Sequence, residues 1–340
     1  MKKYLLLLLC MMLVLLTACS VGENSTSKQT ASREKEIKEL KDISIMLDWY
    51  PNAVHSFLYV AQEKGYFEEE GLNVDIQFPA NPTDPINLAA AGQVTLGISY
   101  QPDVIIARAN QDVNIKSVGA IVRSPLNRVV FPEDSEIQSP KDLEGKKVGY
   151  PGIPLNESLI QSMVKADGGN PESVEMIDVG FELGSSIVSK KVDAVVGAYI
   201  NHEVPVLKHE GHATRNINPT DYGIPSYNEL IAVTSDKTWE IEQESIKGFW
   251  RAATKGYEFT AENPEEALNI LLTNQDEANF PLVEEVETES LDILLPLMKS
   301  EEGFGSQSQE QWEETISWMK DADLIEKEPA VDDIFVNIAE

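Results

Sequence analysis

Short aliphatic runs alternate with segments of helical periodicity along most of the chain. Residues 43–47, 74–78, 95–98 and 117–122 read as strands, and between them 55–64, 84–91 and 102–110 carry apolar positions at helical spacing. A second series opens near Ser139, where Ser-Pro-Lys-Asp-Leu-Glu-Gly gives a helical turn before a run at 147–150. It continues with a helix at 156–166, a strand at 174–178, a helix at 183–190 and a strand at 194–197, and the β-type run 229–234 closes it. From Ser235 onward the periodicity is helical, over 237–262, 264–272, 282–298 and 309–322. Strands alternating with helices predict parallel sheets covered by helices. Two such series and a helical tail predict an α/β protein of two lobes, residues 42–125 with 231–340 and residues 126–230, with crossings near 123–130 and 226–234.

The N-terminal residues carry a different pattern. Lys2 and Lys3, an apolar stretch from Leu5 to Leu16 and then Leu16-Thr17-Ala18-Cys19 have the form of a lipoprotein signal peptide over residues 1–18, too short for a membrane span. The Cys19 thiol is then the expected lipidation site. Residues 19–41 are rich in Ser, Thr, Lys and Glu and poor in large apolar side chains, which predicts a flexible tether. Loss of the leader removes Cys10 and leaves Cys19 alone, so no disulfide, cysteine metal site or thiol catalyst is expected in the mature chain. The net charge of -30 makes nucleic acid and anionic lipid surfaces poor partners. Residues 236–340 carry 27 acidic and 7 basic side chains, which reads first as solvated helix faces and second as an acidic docking surface.

Candidate chemistry gathers where strands end. The first strand runs into Leu47-Asp48-Trp49-Tyr50-Pro51-Asn52-Ala53-Val54-His55, which presents Asp48 and Trp49, with Asn52 in the same turn, to a crevice at the carboxyl end of a sheet. Tyr100, Tyr199 and Tyr227 also sit at or just after apolar runs. Aromatics there can sandwich a flat ring, or serve as ordinary packing with a polar handle. His55 begins the helix behind Asp48 and either touches a ligand or orients the crevice. Tyr150-Pro151-Gly152-Ile153-Pro154 is a strand, a glycine turn and a helix start, where free N–H groups could hold a carbonyl or anion. His202, His209 and His212 lack the His-Glu-x-x-His spacing, so no metal site is expected. Nucleophile elbows, Walker loops and complete dinucleotide fingerprints are missing from the sequence.

The Asp48–His55 stretch, Leu58-Tyr59-Val60-Ala61-Gln62-Glu63-Lys64-Gly65-Tyr66-Phe67, Gly97-Ile98-Ser99-Tyr100-Gln101-Pro102-Asp103, Gly197-Ala198-Tyr199-Ile200-Asn201-His202-Glu203 and Pro225-Ser226-Tyr227-Asn228-Glu229-Leu230 resemble the ThiY-like substrate-binding lipoproteins that take up the pyrimidine precursor of thiamin. The resemblance covers roughly residues 43 to 320 and implies the type II periplasmic-binding-protein fold. It further implies an extracytoplasmic ABC-importer receptor, anchored to the cell membrane and acting as a monomer with permease and ATPase subunits, with no cofactor. The ligand it implies is N-formyl-4-amino-5-aminomethyl-2-methylpyrimidine or a close hydroxymethyl- or aminomethylpyrimidine. Asp48, Glu203 and Glu229 are then candidates to face the 4-amino edge, where a carboxyl can make two parallel hydrogen bonds; ion pairing is the alternative for the two glutamates. A receptor of the same scaffold for riboflavin or an alkylsulfonate is the nearest alternative. A synthase-like enzyme is further off, because the yeast thiamin-pyrimidine synthase that shares the fold relies on a cysteine-rich iron-binding motif absent here.

Overall fold

The computed structural model describes residues 40–278 and 280–338. The expected signal peptide, Cys19 and all but the last two tether residues lie outside them. Ten strands form two five-stranded sheets: β1 (Lys41–Met46), β2 (Leu72–Gln77), β3 (Leu96–Ser99), β4 (Ile115–Val122), β5 (Asn127–Pro132), β6 (Lys147–Tyr150), β7 (Glu175–Asp178), β8 (Ala194–Tyr199), β9 (Thr214–Ile217) and β10 (Leu230–Ser235). The first sheet has the order β2-β1-β3-β10-β4 and the second β7-β6-β8-β5-β9.

Both sheets are mixed, where the sequence pattern predicted parallel ones. β10 runs antiparallel to β3 and β4, and β5 antiparallel to β8 and β9. The cause is the crossing itself. β4 ends on the cleft side of the first sheet, so the chain enters the second sheet from the cleft and β5 must run away from it; the return through β10 repeats the reversal. The run expected to close the second series is therefore β10 of the first sheet. All six of its residues are buried, as a central strand covered on both faces requires.

The tail packs as predicted, in helices Asp236–Glu262, Pro264–Thr273, Glu284–Met298 and Gln309–Asp321. Ser235 caps the first of these by accepting from the Thr238 N–H. At Gly256 this helix crosses Ser56–Glu63 so closely that an added Cβ would lie 2.1 Å from the Phe57 carbonyl oxygen, so only glycine fits. Helix Glu284–Met298 touches both lobes: Glu287 accepts the Ala53 N–H at 2.7 Å, and Ser290 accepts from Asn201 Nδ2 at 3.0 Å. None of the described helices is long and apolar enough to cross a membrane.

Candidate functional site between the lobes

The turn after β1 builds one wall of the site from local contacts. Asn52 caps the short helical turn Ala53–His55, its Oδ1 accepting from the Val54 N–H at 3.1 Å. Its main-chain N–H donates to His55 Nδ1 at 3.2 Å, which leaves the imidazole proton on Nε2, 2.9 Å from Asp48 Oδ1. Both side chains are buried. The one hydrogen bond on the Asp48 carboxyl among the described residues is this one, so Oδ2 is left for another donor.

Trp49, next in sequence, reaches into the second lobe. It packs edge-on to Phe181 with ring centroids 4.4 Å apart and joins the apolar cluster of Val130, Leu183 and Val195. Tyr50 beside it hydrogen-bonds His202 Nε2 at 3.1 Å, and Glu203 Oε2 accepts the Tyr199 N–H at 2.7 Å.

A third group comes from the crossings. Glu229, just before β10, is fully buried, and its Oε2 accepts the Leu126 and Asn127 N–H groups at 2.7 and 3.0 Å. Its Oε1 accepts from the Tyr199 hydroxyl at 3.2 Å. Burial pushes this carboxyl up to about 7, with the Asn127 and Leu126 amides and the Tyr199 hydroxyl pulling the other way. Burial also raises the Tyr100 and Tyr199 hydroxyls well above the phenolic range, reinforced by Asp48 and Glu229 respectively, so both are neutral donors. The Asn127 amide ties the second lobe together, donating to Asn156 Oδ1 at 2.7 Å and accepting the Gly197 N–H at 2.9 Å. Gly197 has φ +95°, and an added Cβ would lie 2.8 Å from the Pro151 ring.

These walls line a cavity between the lobes. Of the candidate residues, Asp48, Trp49, Asn52, Tyr100, Tyr199, Glu203 and Glu229 line it. Three expected residues do not. His55 is sealed behind Asp48 and orients it; Tyr227 is completely buried, because no strand end precedes it on the crossing; Gly152 faces a neighbouring chamber. Sequence reasoning missed Asn127, Asn156 and Asn201, and weighed His202 only as a metal ligand. The stretch 197–203 was nevertheless legible as a unit. Trp49 Nε1, Asn201 Oδ1 and His202 Nδ1 are buried without a hydrogen-bond partner among the described residues, and all three residues line the cavity. Unpartnered polar atoms in residues that line one cavity are what a bound polar molecule would satisfy. Among the described residues no group of three or more His, Cys, Asp or Glu side chains could hold a metal ion.

Two mixed sheets, two crossings and a polar cavity between them define a type II two-lobe binding-protein fold. The chain belongs to the family described as NMT1/THI5 like, whose model matches residues 52–267. It is 53% identical over 341 residues to the formylaminopyrimidine-binding protein of Halalkalibacterium halodurans, an alignment covering 100% of both chains. It is 27% identical to the 4-amino-5-hydroxymethyl-2-methylpyrimidine phosphate synthase of Legionella pneumophila, over 73% of this chain and 78% of that one. Among solved structures, the alkanesulfonate-binding protein SsuA of Xanthomonas axonopodis pv. citri, bound to MOPS, superimposes with a TM-score of 0.69 over 88% of this chain and 99% of that one. At 14% identity that likeness is one of fold.

Proposed function

We propose that the chain is the extracytoplasmic substrate-binding protein of an ABC importer for N-formyl-4-amino-5-aminomethyl-2-methylpyrimidine or a close relative, and not an enzyme. The observation that carries this reading is the set of unpartnered buried atoms on Trp49, Asn201 and His202, three residues that line the interlobe cavity. Binding, not turnover, satisfies such a set. Identity over the whole chain with a formylaminopyrimidine-binding protein supports the ligand class. A 4-aminopyrimidine edge offers an N–H donor beside a ring nitrogen, and Asp48 Oδ2 and Glu203 are the carboxyl groups with capacity left to meet it. Tyr199 and Glu229 are already committed to each other. No lysine or arginine lines the cavity while three acids do, which disfavours an alkylsulfonate.

Delivery to permease and ATPase subunits follows from this role, with Cys19 as the membrane anchor. Isothermal titration of the soluble domain with the formylaminopyrimidine should give saturable one-to-one binding, and native mass spectrometry the matching mass increment. Failure of every candidate pyrimidine to bind overturns the ligand assignment. Cys19→Ala should release the protein from membranes, and a wild type that incorporates no palmitate label sinks the anchor.

A further inference from the structure

Beside the cavity lies a second chamber, bounded by the end of β3, helix Gln101–Gln111 and the turn at Gly152–Pro154. Tyr100 and Ile153 line both spaces, so the two meet at these side chains. Asp103 belongs to the chamber and is only 6% exposed. Its Oδ1 accepts the Leu155 N–H from the second lobe at 3.1 Å. Its Oδ2 takes no hydrogen bond from any described residue, and no lysine or arginine lines the chamber. A carboxyl with one oxygen held by the protein, the other facing the chamber and no cation beside it is placed to accept from a donor that enters the chamber. Ring recognition alone leaves this group unexplained, because Asp103 does not line the cavity that holds the ring.

Resting on the pyrimidine reading above, we infer that the chamber receives the arm carried by the ring, and that Asp103 accepts a hydrogen bond from an N–H or ammonium group on that arm. An aminomethyl arm brings a cation and a formylaminomethyl arm an amide N–H. An arm of carbon alone brings neither, so Asp103 makes the receptor selective for nitrogen-bearing arms.

The test uses three ligands with the same 4-amino-2-methylpyrimidine ring and a 5-ethyl, 5-aminomethyl or 5-formylaminomethyl arm, titrated calorimetrically into wild type and Asp103→Asn. The ethyl and aminomethyl arms have the same length, so wild type alone reads the polar contact. It should bind the aminomethyl compound at least about tenfold more tightly than the ethyl one. Asp103→Asn should weaken the aminomethyl compound by about thirtyfold or more and leave the ethyl compound within about threefold of wild type. The formylaminomethyl compound should change little, because an asparagine carbonyl still accepts from an amide. Equal wild-type affinity for the ethyl and aminomethyl compounds overturns the inference even if the variant does not fold. A uniform loss across all three in Asp103→Asn also overturns it, making Asp103 only a clasp between the lobes. If wild type binds none of the three, the pyrimidine reading itself has failed.

Discussion

Asp48 and Glu229 both line the cavity and both are buried, but they are held in opposite ways. Asp48 faces an imidazole whose proton is directed at it by the Asn52 N–H, all within eight residues of chain. Glu229 faces two main-chain amides and a phenol, and its partners Leu126 and Asn127 are 103 and 102 residues away. Glu229 stays charged against the cost of burial or takes the proton itself, and its titration near 7 expresses that choice. One acid belongs to a preassembled turn, the other to the seam where both crossings meet.

The largest expected effect breaks the seam. Glu229→Ala leaves the Leu126 and Asn127 N–H groups and the Tyr199 hydroxyl without their acceptor, and should cost about 3 to 5 kcal/mol of unfolding free energy in urea titrations. Asp48→Ala orphans one imidazole N–H and should cost about 1 to 3 kcal/mol while weakening ligand binding. A larger stability loss for Asp48→Ala than for Glu229→Ala would reverse the assignment of seam and recognition wall.

Trp49 sharpens the same comparison, because it serves both lobes. Trp49→Phe keeps an aromatic ring against Phe181 and removes Nε1, so it should retain most of the stability and lose about 1 kcal/mol of binding. Trp49→Ala should lose about 3 kcal/mol of stability as well, through the cavity left in the second lobe's core. Comparable binding by wild type and Trp49→Phe would move the indole nitrogen out of the recognition set.

The pH dependence sets Glu229 beside Asp103. Glu229 is raised from 4.5 to about 7, and Asp103 from 3.8 to about 7, each chiefly by burial. Between the ordinary and raised values the folded state holds more protons than the unfolded one. These groups' contribution is thus fully present below about pH 4 and is lost as pH rises through 7, with a slope of up to about 1.4 kcal/mol per unit for each. Urea unfolding from pH 4.5 to 7.5 should show a shallower decline in Glu229→Gln with Asp103→Asn than in wild type. Parallel curves would mean that both acids ionise normally.

What could be read from the sequence follows the same local-versus-distant division. Asp48, Trp49 and Asn52 were legible because a strand end, a proline and a capping asparagine are local signals, and the helical tail was legible from its periodicity. β9, with the sequence Thr-Arg-Asn-Ile, has no apolar alternation and exists by pairing with β5, so nothing in its own residues announces it. The amides of Asn127, Asn156 and Asn201 were equally silent, since a neutral amide acquires its role only when the fold supplies partners. Tyr227 misled for the converse reason: its surroundings resemble a strand end, yet the preceding structure is the short turn Pro219–Tyr222.

The smallest effects belong to the outer rim, where helix Glu284–Met298 bridges to the second lobe twice. Lys208 pairs with Glu289 at 3.0 Å, with side chains 69% and 45% exposed, while Asn201 meets Ser290 in the interior. The exposed pair gains little in high dielectric and must immobilise two long side chains, so Lys208→Ala should change unfolding free energy by no more than about 0.5 kcal/mol, and less in 0.5 M salt. Asn201→Ala removes a buried donor and one of the orphaned acceptors, so it should cost about 1 kcal/mol of stability and weaken ligand binding as well. The two substitutions sit on one bridge and differ in burial. If Lys208→Ala weakened binding as much as Asn201→Ala, the bridge would act by holding the lobes together, and the orphaned carbonyl of Asn201 would lose its place in recognition.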